Sequence, residues 1–213
     1  MRPYSPADRA AVRQICCDTG YTGSPIDPVF TDRDVFADFF TRYYTDYEPE
    51  SCLVAEDQGR IVGYLLGCTR YRYHNWMEKF VLLFLVTPKV LWRLATGRYN
   101  RASRNFLWWC CTKGASETPK APSQAAHLHF NILPEYRNSG IGRRLAFDFF
   151  KILKARNVTR LYGQIQTYED RRPPRIFERY GFIEYDRKEM TKYRELQETK
   201  VFCTTLFKEF TDE

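Results

Sequence analysis

The sequence predicts an α/β domain, a mixed sheet with helices on both faces. Three observations carry this expectation. Strand-like runs lie in distant parts of the chain with helical segments between them. One long segment, Ile141 to Ala155, places apolar residues at 141, 145, 149, 152 and 153, the spacing of an amphipathic helix. The chain is 213 residues long and 44% hydrophobic. Its aromatic content is 16%. A chain of this size and composition can bury a substantial core.

The elements follow in order. Arg2 to Tyr4 reads as a short strand. Ser5-Pro6-Ala7-Asp8 reads as a helix start, with Ser5 as N-cap, Pro6 in the first helical position and Asp8 completing a capping box. A second helix is expected over about 32–44, with Val35, Phe36, Phe39, Phe40 and Tyr43 on its buried face. Ser51 to Glu56 and Ile61 to Cys68 are strands joined at Asp57-Gln58-Gly59, a hairpin signal. Residues 70–124 lose this regularity and read as an inserted segment with its own helices and a flexible exit. Order returns with a strand over Ala126 to Leu133, a polar loop, the helix from Ile141 and a strand over Leu161 to Gln166. A short helix, Arg175 to Arg179, is closed by Gly181. Two strands follow, about 182–191 and 200–209.

Composition excludes several classes. Seven cysteines, in an odd total with two adjacent pairs and no C-x-x-C, fit reduced thiols in a cytoplasmic protein better than a disulfide framework. Three histidines without a His/Cys cluster give no metal site. Residues 1–20 are polar and charged, unlike a signal peptide. The longest apolar run, Phe80 to Val86, is too short to span a bilayer. The net charge of +7 is concentrated: between Arg70 and Lys120 there are ten Lys/Arg against two Asp/Glu, which leaves about −1 for the rest.

Arg137-Asn138-Ser139-Gly140-Ile141-Gly142 lies between a strand and a helix. Glycines there permit positive φ and close approach of a ligand, and the first helical turn offers unpaired N–H groups and the positive end of the helix dipole. Arg137, Arg143 and Arg144 add cationic donors. This is a phosphate cradle. It lacks the Gly-Lys-Ser/Thr of a Walker loop, and Leu145 stands where a dinucleotide fingerprint has its third glycine.

The run Leu133-Pro134-Glu135-Tyr136-Arg137-Asn138-Ser139-Gly140-Ile141-Gly142 resembles the acetyl-CoA signature of the GNAT superfamily of N-acetyltransferases. Phe177-Glu178-Arg179-Tyr180-Gly181-Phe182 resembles that superfamily's second signature. The order of elements agrees over most of the chain outside 70–124. Ala126-His127-Leu128-His129 leading into Leu133 to Tyr136 is further similar to the acetyltransferase-like domain of animal O-GlcNAcases and its stand-alone bacterial relatives. The resemblance implies a GNAT fold over residues 1–213: a central mixed, mostly antiparallel sheet, helices on both faces, and a helical insertion before the acetyl-CoA-binding strand. It implies acetyl-CoA as cosubstrate and transfer of its acetyl group to a primary amine of a small molecule or protein. The strand before the loop is expected to splay at a bulge. Asn131, Ile132 and Leu133 are expected to hold pantetheine by main-chain groups. Arg137, Asn138, Ser139, Gly140, Ile141, Gly142 and Arg143 are expected around the pyrophosphate, with Phe177 also beside the cosubstrate.

Alternation places His127, His129 and Asn131 on one strand face and Leu128, Phe130 and Ile132 on the other. The two histidines are candidate general bases, or hydrogen-bonded residues lining a channel. The family often has tyrosine as acid where this chain has Phe177, and Asp170 replaces its usual asparagine beside Pro173-Pro174. Tyr180 and Tyr168 are the candidate replacements, or the thiolate leaves unassisted. These departures leave a second function open, a CoA-binding module without transfer activity. The basic aromatic insertion has four readings: a lid over the acceptor cleft, an interfacial segment on anionic membrane, a nucleic-acid surface for which no motif speaks, or a plain elaboration of the core.

Overall fold

A computed structural model describes residues 1–170 and 176–210. β1 (Arg2–Pro3) leads through a 3₁₀ turn, Pro6–Asp8, into α1 (Arg9–Asp18). The capping pair forms, with the Ser5 N–H donating to Asp8 Oδ2 at 2.8 Å. α2 (Arg33–Tyr47) begins on Asp32, whose carboxylate accepts from the Val35 N–H. β2 (Cys52–Asp57) and β3 (Arg60–Cys68) form the expected hairpin, and both turn residues, Gln58 and Gly59, have positive φ, as a type I′ turn requires.

The insertion opens with α3 (Tyr71–Phe80). This helix runs without interruption through a π-helical stretch, Val81–Val86, into α4 (Thr87–Ala95). α5 (Arg101–Thr112) and α6 (Gly114–Glu117) complete it. Then come β4 (Ala126–Ile132), α7 (Ile141–Ala155), β5 (Arg160–Tyr168), α8 (Ile176–Arg179), β6 (Ile183–Glu189) and β7 (Val201–Glu209). Arg175, expected to open the short helix, and Pro173-Pro174 lie outside the described residues.

The seven strands form one open sheet in the order β1-β2-β3-β4-β5-β7-β6. Every neighbouring pair is antiparallel except β4 with β5. A first core lies between the sheet and α1, α2 and the α3–α4 rod, and a second lies beneath α7. α7 buries Ile141, Leu145, Phe149 and Leu153, while Ile152 packs at the margin. Gly67 lets α7 approach so closely: a Cβ there would stand 2.1 Å from Phe149 Cε2 and 2.6 Å from the Ser51 carbonyl.

One expectation is corrected by the way α2 is covered. Phe39, assigned to its buried face, is 38% exposed, and Tyr44 is buried instead. α2 is enclosed by α1 and the sheet on one side and by the inserted rod on another, so it also buries polar residues. Asp38, only 2% exposed, is held by Arg13 at 2.5 Å and Lys89 at 2.6 Å, and Arg93 pairs with Asp32 and Asp34. Nor is the exit from the insertion a loose tether. Glu117 accepts from Trp109 Nε1 at 2.7 Å and from the Thr191 N–H at 2.6 Å, and the Lys120 N–H donates to Asp186.

A buried carboxylate ties the sheet to the helices. Glu48, fully buried just after α2, accepts from the Tyr43 hydroxyl (2.6 Å), the Ser51 hydroxyl (2.8 Å) and both the N–H and hydroxyl of Thr69 (2.7 Å each). Arg156, at the end of α7, binds the same serine and threonine. Burial alone raises the carboxyl's pKa, but these donors outweigh it and hold Glu48 below its usual value.

Candidate active site

β4 keeps an unbroken antiparallel register with β3, from Gly63↔Ile132 to Cys68↔His127. Its parallel pairing with β5 covers only Ala126↔Leu161, His127↔Tyr162 and Leu128↔Gly163. Beyond Leu128 the two strands part, although β4 continues to Ile132 and β5 to Tyr168. The splay is thus present, and it opens with no register shift on the β3 side.

The pairing fixes which backbone groups line the opening. The Leu133 N–H donates to the Val62 carbonyl at 3.0 Å. In an antiparallel ladder hydrogen-bonded and non-hydrogen-bonded positions alternate, so Asn131 and His129 also turn their main-chain groups toward β3. Phe130 and Ile132 turn theirs toward the gap. The expected trio of Asn131, Ile132 and Leu133 is corrected accordingly: of the three, only Ile132 presents main-chain groups to the opening, with Phe130 as its companion.

At the mouth of the gap Pro134–Tyr136 makes a 3₁₀ turn, and positive φ at Asn138 (62°) and Gly140 (81°) brings the chain into α7. Gly140 occupies the N-cap position and no side chain caps the helix. The Arg144 N–H reaches the Gly140 carbonyl at 3.1 Å, so the N–H groups of Ile141, Gly142 and Arg143 are those of the open first turn. A Cβ built on Gly140 would meet nothing within 4 Å, so this glycine faces open space. Gly142 has a different role, since a Cβ there would press within 3.2 Å of Ile132 and 3.5 Å of Phe130. Uncapped donors, open space and the positive dipole end fit a pyrophosphate. Ser139 is turned back onto the Tyr136 carbonyl at 2.5 Å. Arg137 is engaged elsewhere: its guanidinium donates to the carbonyls of Gly23 (2.6 Å) and Ile132 (3.3 Å), bracing the end of β4 against the α1–α2 loop.

The side chains divide as alternation requires. Leu128, Phe130 and Ile132 pack under α7. His127, His129 and Asn131 lie on the other face, beneath α2 and α3. The Tyr44 hydroxyl, from α2, lies 2.6 Å from His127 Nδ1 and 3.2 Å from His74 Nε2, joining the two rings. His129 stacks on Phe40 at 6.1 Å, and its Nε2 lies 3.4 Å from both the Tyr64 hydroxyl and Asn131 Nδ2. Asn131 Nδ2 donates to the Tyr64 hydroxyl at 2.8 Å. Burial depresses both histidines: His127 falls well below the usual imidazole value, with His74 and His129 adding to the effect, and His129 falls to about 4. Both rings are therefore neutral at pH 7.

The strands separate the roles of the two. His127 sits inside the paired part of the sheet, its ring 4.7 Å from that of Tyr162. With His74, Tyr71 and residues 121–125 it lines a pocket of about 170 Å³. His129 is the first residue beyond the last β4–β5 pair, at the apex of the gap. Sequence reasoning missed Tyr44, Tyr64 and His74, which come from other elements and carry no motif.

The tyrosines proposed as acids lie apart from both histidines. Tyr180 is on the α7 side of the sheet, its ring 5.4 Å from that of Phe147. Phe177 packs in the same core, edge-on to Phe182. Tyr168 is the last residue of β5, well past Gly163, where pairing with β4 ends. Its hydroxyl lies 3.0 Å from that of Thr22, at the rim of the opening.

The same architecture recurs in solved structures. SsHAT aligns over 99% of this chain and 98% of its own, with 26% identity and a TM-score of 0.61. The yncA protein from Salmonella typhimurium, solved with its cofactor acetyl-CoA, aligns over 100% of this chain and 94% of its own, with 14% identity and a TM-score of 0.56. Ribosomal-protein-alanine N-acetyltransferase from Brucella melitensis aligns over 98% of both chains, with 15% identity and a TM-score of 0.53. No family model and no curated protein matches the sequence. The open seven-stranded sheet, the parting of its middle strands and these likenesses define the GNAT fold, the fold of the N-acetyltransferases.

Proposed function

We propose that this protein is an acetyl-CoA-dependent N-acetyltransferase acting on a primary amine. The observation that carries the reading is the parting of β4 from β5 at Leu128 and Gly163, leading to the uncapped N-terminus of α7. The gap offers the main-chain groups of Phe130 and Ile132 to a pantetheine amide, as a missing strand would be received. The first turn of α7, with Arg143 beside it, receives the pyrophosphate.

Acetyl-CoA supplies an activated thioester. An amine held at the apex attacks its carbonyl, the N–C bond forms as the C–S bond breaks, and CoA leaves as thiolate. A main-chain N–H of the gap, from Phe130 or Ile132, stabilises the oxyanion. His129, neutral and at the apex, is the base that takes the amine's proton; His127, tied to Tyr44 inside the paired sheet, lines the acceptor side. Tyr168 stands at the rim of the opening and Tyr180 on the α7 side of the sheet, and the thiolate can leave without an acid from either. A thiol pKa of about 8.5 makes that tolerable.

The test is thermal stabilisation by acetyl-CoA of wild type, Gly140→Trp and Arg143→Glu. Stabilisation of wild type, weakened in both variants, supports the site. Release of CoA thiol with a panel of primary amines then separates a transferase from a CoA-binding module. Absence of stabilisation in folded wild-type protein overturns the reading.

A further inference from the structure

The inserted rod carries an apolar surface that the rest of the chain does not cover. Along α3, the π stretch and α4, the buried residues Met77, Val81 and Val86 are spaced four and then five apart, followed by partly buried Val90. The five-residue step falls in the π stretch. It keeps one stripe turned toward the core from Met77 to Val90. The opposite stripe is held in register by the same device, and it is not polar. Trp76 is 61% exposed, Leu83 and Phe84 59% each, Leu91 59% and Trp92 56%. Trp76, Phe80 and Phe84 form a ladder of rings 5.9 and 5.2 Å apart along it.

The unpaired charges of the insertion are mostly cationic. Within the insertion, Arg70, Lys89 and Arg93 are ion-paired to acidic residues of the α2 region. Arg72, Lys79, Arg98, Arg101 and Arg104 are exposed and have no ion pair among the described residues. The guanidinium of Arg98 lies over the Trp92 ring at 4.7 Å, placing a cation at the edge of the apolar face. Glu78 is the one acidic side chain on the rod.

We infer that this face docks the protein on an anionic lipid surface, with the rod lying in the plane of the interface. Tryptophan, phenylalanine and leucine on one side with lysine and arginine at the margins is the composition an interfacial helix needs: apolar rings enter the headgroup boundary while cations meet lipid phosphates. No helix of the described residues is long and apolar enough to cross a membrane. A second copy of the chain is a poorer occupant. A twofold-symmetric contact through this stripe would set its unpaired cations against themselves.

The experiment is flotation of the full chain with vesicles of phosphatidylcholine alone and of phosphatidylcholine mixed with phosphatidylglycerol. The expected result is binding to the mixed vesicles, weakened by salt. Phe84→Ser/Trp92→Ser should lower the partition, and, separately, Arg72→Gln/Lys79→Gln/Arg98→Gln should lower it at least tenfold, since each cation near an anionic surface contributes roughly a fivefold factor. All these residues are exposed, and an unchanged melting temperature verifies that the variants fold. Failure of wild type to bind mixed vesicles overturns the inference, as does equal binding by the variants. A dimer in solution that Phe84→Ser/Trp92→Ser dissociates, with no vesicle binding, overturns it in favour of self-association.

Discussion

Replacing Glu48 with glutamine tests whether the fold depends on a single buried charge. The carboxylate accepts four hydrogen bonds from three residues, and two guanidinium groups, of Arg156 and Arg70, stand 3.7 and 3.8 Å away. Glutamine keeps the volume but removes the charge and turns an N–H₂ toward groups that donate. Breaking a buried, hydrogen-bonded charge in this way costs about 3–5 kcal/mol. For a chain of this length each kcal/mol lowers Tm by about 2–4 °C, so the variant should melt roughly 10 °C below wild type. The assay is thermal unfolding followed by circular dichroism at neutral pH, with Arg156→Gln alongside as the milder lesion, since that side chain is one-third exposed. A Glu48→Gln protein melting within about 2 °C of wild type would refute the view that this knot joins α2, β2, β3 and α7.

Further outcomes follow from the same geometry. Gly67→Ala should destabilise by about 1–3 kcal/mol, visible as a lower urea midpoint, because the new methyl meets both the Phe149 ring and the fixed Ser51 carbonyl. His129→Gln should lower kcat for amine acetylation by about 10²–10⁴, whereas His127→Gln should act less on kcat than on KM for the amine; the reverse order would exchange their roles. Both histidines have folded-state pKa values below the unfolded value near 6.5, so their stabilising effect is complete above that pH. It should be lost as pH falls from about 6.5 toward 4. Tm measured across that window should decline in wild type and flatten in His127→Gln/His129→Gln.

The amino-acid sequence alone determined the sheet-and-helix order and the glycine turn that opens α7. Local periodicity sufficed for α7, where one apolar stripe faces one core, and for the β2–β3 hairpin, whose turn chemistry is written in Gln58 and Gly59. That turn was legible because its glycines lie close together in the chain, whereas the direction of Arg137, onto the Gly23 and Ile132 carbonyls, was not. α2 was misread at Phe39 because a helix covered on more than one side has no single buried stripe, and only the docked insertion shows which residues it encloses. The correction from Asn131 and Leu133 to Phe130 has a similar origin. Side chains alternate visibly in sequence, but the direction of the backbone N–H groups depends on the register with β3, a strand far away along the chain. The surroundings of the two histidines were equally hidden. Tyr44, Tyr64 and His74 reach them from α2, β3 and α3, and an imidazole's basicity is set by the burial that such distant neighbours create. Residue type and spacing reveal what chemistry a segment can supply; packing across the sheet decides which groups meet and in what protonation state.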